Sequence, residues 1–390
     1  MKNRASVLKS ILEQLHAGKT VDAVKKEFAD AFHDVPATEI AAAEAELVRS
    51  GVPVEEIQNL CDVHATLFEG SVQEEAFEWE GGHPLTVFSE ENQGILEYLD
   101  TEWKSAIAQY EAHPEEGRAN FLAAVRTLSK VGVHYTRKET LLFPYLEKGG
   151  VTAPPKVMWG VDDEIRALLK TAGEAKEEEA LAAAKEAEEK IRSMVQKEEE
   201  ILKPMLIHHL TEDDWKVVAQ ESPQIGYVFT GGREGASPSD AKAWLRDGTA
   251  EKAPLNGDPV QLPSGHFTPE TLTAMLNTLP VDLTFVGADD TVHYFSETAD
   301  RIFPRTRTII GRNVSDCHPP KSLHVVEALV QAFKDGTKDT ESFWIQMGDK
   351  FILIRYFAVR DADGTYLGVV ETTEDIAPLR KLEGQKTLLS

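Results

Sequence analysis

Cysteine is nearly missing from this 390-residue chain: Cys61 and Cys317 stand alone and far apart in sequence. That scarcity excludes a disulfide framework and a multi-cysteine metal cluster. Long apolar runs are missing too. No stretch approaches the roughly 18 consecutive apolar residues of a membrane span, and the opening Met1–Leu8 leads into no signal-peptide core. Basic residues are in deficit, with 41 Lys and Arg against 66 Asp and Glu and a formal charge of -25. A nucleic acid or an anionic membrane requires a basic footprint, so neither is expected as the main partner. The rest of the composition is ordinary for a globular protein, 42% hydrophobic and 27% charged, with length for two or three domains. A cytoplasmic protein is expected.

Residues 1–79 read as a module of short amphipathic helices. Val7, Ile11, Leu12 and Leu15 recur at helical spacing before Gly18. Val21, Val24 and Phe28 repeat the pattern, and Pro36 and Gly51-Val-Pro53 separate the later helices. Cys61 and His64 lie one turn apart on the last helix, but two ligands are too few for a structural zinc site.

From 80 to 220 four long helical segments with short connections predict a four-helix bundle. They run at about Thr86–Ala112, Glu116–Glu147, Val161–Lys170 and beyond, and Glu177–Leu210, with Gly149-Gly150 and Pro154-Pro155 closing the middle pair. Helical spacing aligns Phe88, Asn92, Ile95 and Leu99 on the first. Val131, His134, Lys138 and Leu141 align on the second, and Asp162, Ile165 and Leu169 on the third. Ile191, Met194, Glu198, Ile201 and Met205 align on the fourth. Each stripe carries a polar group among apolar neighbours: Asn92, His134, Asp162 and Glu198. Burying such groups is costly unless they pair or bind metal. One imidazole with two carboxylates suits iron, manganese or zinc, and the same residues also suit a hydrogen-bonded network without metal. Glu139 is about 140° around the helix from His134, which suggests a supporting place, and His83 precedes the first helix and can fold over its end. Glu91, Glu164, Glu199, His208 and His209 read as solvent-facing.

Residues 221–267 are rich in Gly, Pro and Ser and read as a linker, with a brief strand at Pro259–Leu262. From 268 to 388 the order is a helix at Thr268, strands at Val281–Val286 and Val292–Phe295, helical sequence over Ser322–Phe333, then strands at Thr340–Met347, Phe351–Arg360 and Tyr366–Thr372. That order predicts a five-stranded antiparallel sheet with a helical cover.

The bundle segment resembles the hemerythrin-like, HHE cation-binding family on His134, Glu139 and Leu142-Phe-Pro144, on Met158–Arg166, and on Lys197–Glu199 through Pro204. The resemblance implies non-haem iron held by histidines and carboxylates, with His134 and Glu198 matching the customary ligands; together with His83, Asn92, Glu139 and Asp162 they are the candidate positions for iron or manganese. The chain departs from the family's pattern: Asn92, Asp162 and Met194 stand where histidines are usual, and Lys138 where a ligating glutamate is usual. The helices around Leu60–Phe68 resemble the DUF438 domain found upstream of such bundles. The C-terminal order, with Arg312-Asn-Val314 and Cys317–His324, resembles a PAS domain. That likeness implies a haem or another small ligand, for which Cys317, His318 and His324 are the available donors, and a homodimer through this domain. The whole is expected to be a multidomain protein, an all-α module and four-helix bundle followed by an α+β PAS-like domain. It would sense oxygen, nitric oxide or redox state through a small-molecule or gas ligand and act on a downstream protein. A non-haem iron enzyme acting on nitric oxide, peroxide or damaged iron centres, and a metal-free scaffold, are the alternatives.

Overall fold

The computed structural model describes residues 81–230, 238–246, 257–299 and 301–385, with six single positions before residue 25. The helices expected over 1–79, with Cys61 and His64, lie outside the described residues. The chain divides near Ala250 into two compact units.

The first unit is the bundle, built of four rods. Rod one is α1 (Pro84–Tyr98), a π-turn (Leu99–Trp103) and α2 (Lys104–Ala112). Rod two is α3 (Pro114–Leu128), α4 (Val131–Arg137), a π-turn (Lys138–Leu142) and α5 (Phe143–Lys148). Rod three is α6 (Ala153–Glu174), and rod four is α7 (Glu177–Lys197), a π-turn (Glu198–Leu202) and α8 (Lys203–His209). Helix α9 (Glu212–Ile225) comes next, closed at its start by a reciprocal Thr211–Asp214 capping box.

Two prolines explain the matched π-turns in rods two and four. A proline inside a helix has no N–H, and its ring clashes with the carbonyl four residues back. Just ahead of Pro144 and Pro204 the helix widens, so Phe143 N–H reaches Lys138 O and Lys203 N–H reaches Glu198 O. The residues that open these wide turns, Lys138 and Glu198, are the ones that meet at the bundle centre. Pro154 and Pro155, expected to separate helices, instead lie in the first turn of α6. There their missing donors cost nothing, because the first four N–H groups of a helix have no partner within it. Rod three is therefore longer at its start than the expected segment from Val161.

The core between the rods is continuous, with Trp103, Leu128, Phe143, Ile165, Ile191 and Leu206 each buried to 1% exposure or less. Each such side chain contributes about 2 kcal/mol of burial. Residues 226–229, expected in the linker, lie against the bundle, with Tyr227 and Val228 buried. The approach requires Gly94: a Cβ there would lie 1.9 Å from Phe229 O. Gly226, at φ +104°, turns the chain into this strap.

The second unit holds a short hairpin of β1 (Val260–Leu262) and β2 (Gly265–Phe267), then α11 (Pro269–Thr278). It continues with β3 (Asp282–Gly287), β4 (Val292–Phe295), α12 (Pro320–Lys334), β5 (Thr340–Met347), β6 (Lys350–Arg360) and β7 (Tyr366–Asp375); α10 (Ser239–Arg246) belongs to the first unit. The five longer strands form one antiparallel sheet in the order β4-β3-β7-β6-β5. Phe333 of α12 packs with Val286 and Val369 of the sheet. This is the expected strand set and architecture.

Candidate functional site

The bundle centre is a chain of ion pairs crossing all four rods. Glu91 of α1 is fully buried and accepts from His134 Nδ1 at 2.7 Å. Its other oxygen accepts from Arg137 Nη1 and from Val228 N–H, both at 2.9 Å. Arg137 also donates to Gly226 O at 2.8 Å, so the strap closes this end of the site. His134 stacks on Phe88 with ring centroids 4.2 Å apart, and its Nε2 lies 3.1 Å from Glu198 Oε2. The second oxygen of Glu198 is 2.5 Å from Lys138 Nζ, which also donates to Asp162 Oδ1 at 2.9 Å. The Lys138 ammonium sits over the Tyr135 ring, 4.5 Å from its centroid. His134, Lys138, Asp162 and Glu198 are all fully buried. Beyond Asp162, Arg166 grips Glu139 with two hydrogen bonds of 2.8 and 3.0 Å.

These contacts set the protonation states. Burial alone would lower the His134 pKa, but the carboxylates of Glu198 and Glu91 outweigh it and raise it. Burial would raise Glu198, but Lys138 and His134 hold it down at about 2. Glu91 is likewise held below its ordinary value, by Arg137 and His134 against burial. Asp162 goes the other way: burial, helped by the nearby Glu139 and Glu198, pushes it well above the usual carboxylate range despite Lys138. Burial also raises Glu139, against the pull of Arg166. Asp162 Oδ2 finds no ordinary donor, yet Asp162 and Glu139 are hydrogen-bonding neighbours. One proton retained by this pair satisfies the contact.

A metal ion does not fit the residues as arranged. Both ring nitrogens of His134 are committed to carboxylates, so neither lone pair faces an open position. Asp162 and Glu198 share a cation already, the Lys138 ammonium. With one proton retained by Asp162 and Glu139, the cationic Lys138, Arg137, Arg166 and His134 side chains face Glu91, Glu198 and one remaining carboxylate charge, which leaves no surplus negative charge for a divalent ion. Among the described residues no group of three or more His, Cys, Asp or Glu side chains is placed to hold a metal.

Of the six positions expected to face a metal, His134, Glu139, Asp162 and Glu198 are brought together. Asn92 is buried one residue beyond Glu91 and donates to Glu199 at 3.0 Å, in a separate group with Ser89 and Lys203. His83 caps α1, accepting from Leu85 N–H at 3.2 Å, with its ring against Trp215 and Trp244. Glu91, expected to face solvent, is the anchor of the site. The signal was in the spacing: Glu91 is three residues from Phe88 and four from Ile95, so it shares their face.

Burial lowers the His83 pKa from 6.5 to about 4. The folded state therefore keeps a neutral ring that the unfolded chain protonates. This stability is intact above about pH 6.5 and falls away as pH drops toward 4; by linkage the loss reaches about 2 kcal/mol at about pH 5. His83→Asn, which retains a capping side chain, is expected to flatten the loss of the urea midpoint of the helical unit between about pH 7.5 and 5. Parallel curves for the two proteins would contradict this assignment.

The second unit has a candidate site of its own. Between α12 and the sheet lies a cavity of about 70 Å³, lined by apolar side chains including Val326, Leu329 and Phe343 and by His318, Tyr356 and Glu371. His318 Nδ1 lies 2.9 Å from Val314 O and must donate to it, so the proton is on Nδ1 and Nε2 carries the lone pair. Burial lowers the His318 pKa, keeping the ring neutral. Burial and the neighbouring Glu371 raise the Tyr356 hydroxyl. Of the three expected donors His318 lines the cavity. Cys317 is half-buried and donates to Asn313 O at 3.4 Å, and His324 is exposed on α12.

Comparison with known proteins matches three families along the chain. The DUF438 family of unknown function covers residues 8–74, the hemerythrin HHE cation binding domain 83–206, and a PAS domain 272–377. Among solved structures, a C-terminal domain from Streptococcus mutans is 35% identical, covering 32% of this chain and 97% of that one with a TM-score of 0.31. A sensory box sensor histidine kinase from Vibrio cholerae is 16% identical, covering 27% of this chain and 88% of that one, TM-score 0.21. A PAS domain from Colwellia psychrerythraea is 12% identical, covering 28% and 97%, TM-score 0.23. No curated protein matches the chain. Among the described residues no helix is long and apolar enough to cross a membrane.

Proposed function

For a chain that belongs to the DUF438 proteins carrying a hemerythrin HHE cation-binding domain and a PAS domain, we propose a sensor or signalling role whose input is a small molecule held in the PAS cavity. The observation that carries this reading is the cavity between α12 and the sheet, apolar on most sides, with the neutral His318 and the Tyr356–Glu371 pair at its wall. An apolar enclosure with a few placed polar groups is what small-ligand sites have in common. Its volume, about 70 Å³, is roughly half that of an engineered cavity of about 150 Å³ that admits benzene. A haem on His318 requires α12 to leave the sheet, so a compact ligand that hydrogen-bonds to the His318 Nε2 lone pair fits better. Oxygen and nitric oxide are within this size but have no proton to give the Nε2 lone pair, so the apolar walls alone would hold them; a redox signal has no comparable support at Cys317.

Occupancy is testable on the full chain. Xenon is expected to enter the cavity and shift its own NMR signal, and Leu329→Trp to abolish that shift by filling the space. Native mass spectrometry is expected to find a small-molecule adduct that Leu329→Trp also loses. A chain that takes up no xenon and carries no adduct sensitive to Leu329→Trp would sink the cavity as the input site.

A further inference from the structure

We infer that the hemerythrin-like bundle of this chain is built to hold its shape without a metal ion, the Lys138 ammonium being the tethered cation that joins the rods. Lys138 by itself bridges rods two, three and four through Asp162 and Glu198. Glu198 passes the connection through His134 to Glu91 on rod one. A metal in a carboxylate and histidine site does the same work, drawing anionic groups from several helices to one positive centre. Here the positive centre is covalently part of rod two.

Three observations converge on this assignment. The ammonium is fully buried, and aromatic and carboxylate groups surround it, with no water-exposed edge. The π-turn forced by Pro144 begins at Lys138, and the one forced by Pro204 begins at Glu198, so the two widened turns present the two partners to each other. The cationic side chains of the cluster already neutralise its carboxylates, one of which shares a proton with its neighbour. Replacing the ammonium by a divalent ion needs the fully buried Lys138 side chain moved out of the interior while Asp162 and Glu198 remain in place.

Lys138 is thus also the barrier to metal uptake. Removing its positive charge and supplying a carboxylate leaves Glu91, Asp162, Glu198 and the new group with His134 in a buried site of surplus negative charge, which a divalent cation neutralises.

The wild-type full chain, produced in medium replete in iron, manganese and zinc and purified without oxygen, is expected to hold less than about 0.1 equivalent of any of them, and its thermal midpoint to be unmoved by EDTA or by added Mn²⁺ or Zn²⁺, since a ligand specific to the folded state raises stability in proportion to its occupancy. Lys138→Glu is expected to bind about one Mn²⁺ or Zn²⁺ per chain and to gain thermal stability on adding it. Near-stoichiometric metal in the wild type that disappears in His134→Ala overturns the inference. So does a folded Lys138→Glu chain that takes up no more metal than wild type. The wild-type measurement stands alone if that variant does not fold, and it is independent of whether the PAS cavity holds a ligand.

Discussion

Lys138→Met is expected to be among the most destabilising single substitutions in the bundle, at about 3–5 kcal/mol. The side chains are close in length and Met suits a buried site, so the change removes charge with little change in volume. It leaves Asp162 and Glu198 facing each other in an interior that water does not reach. Each had the ammonium as its closest charged partner, at 2.9 and 2.5 Å. Asp162 is already pushed toward its neutral form by burial. Glu198, whose low pKa of about 2 depends on Lys138 first and His134 second, must then rise and take up a proton or rely on His134 alone. The prediction therefore has a second part: Glu198→Gln, added to Lys138→Met, is expected to recover part of the loss, because the uncompensated charge goes with it. The urea midpoint of the helical transition, followed by far-UV circular dichroism, measures both. By contrast Lys190→Met, which breaks a surface pair with Glu164, is expected to cost less than about 1 kcal/mol. Equal effects at positions 138 and 190 would show that the central ion cluster does not hold the rods together.

Much of this arrangement was legible in the residues. The inward positions of His134, Asp162 and Glu198 followed from apolar spacing alone, and the strands β3 to β7 followed from period-two alternation bounded by Gly and Asp turns. Those signals are local, and short-range geometry fixes them. The partners of each polar group were not legible, because helical spacing gives the face a residue occupies but not which side chain from another rod will meet it. Hence in sequence Lys138 stands only as a departure from a ligand pattern, although its stripe places it in the interior. Glu91 was hidden differently. Glu90, Glu91 and Asn92 are consecutive, and a face a little over 100° wide admits two neighbours of the three. Asn92 fitted the apolar stripe, and the same stripe had room for Glu91. Arg137 and the strap at 226–229 belong together: the strap's Gly226 O and Val228 N–H give polar partners to Arg137 and Glu91, and nothing in a sequence of turn residues announces that a linker will supply them.

Glu91→Ala tests the other end of the cluster and is expected to cost about 3–5 kcal/mol, comparable to Lys138→Met. Its two oxygens serve three donors, the His134 ring, the Arg137 guanidinium and the Val228 amide. Removing them leaves the Val228 N–H unpaired, Arg137 without its carboxylate and His134 with Glu198 alone, in a site where Arg137 is 4% exposed and His134 not at all. An unpaired buried amide alone costs about 1–3 kcal/mol. The His134 imidazolium loses one of the two carboxylates that raise its pKa, so its proton is held less tightly and the remaining contact to Glu198 weakens with it. Glu91→Gln separates shape from charge: the amide keeps the volume and one acceptor, but its NH₂ group faces donors, so most of the loss is expected to remain. Glu199→Ala is the control. Glu199 carries a comparable set of side-chain partners in Ser89, Asn92 and Lys203, yet its side chain is 33% exposed and water replaces what is removed, for a cost of about 1 kcal/mol. A loss at Glu91 no larger than at Glu199 would mean that water reaches the bundle centre, and the ion chain from Glu91 to Asp162 would then not be the closed interior network its contacts describe.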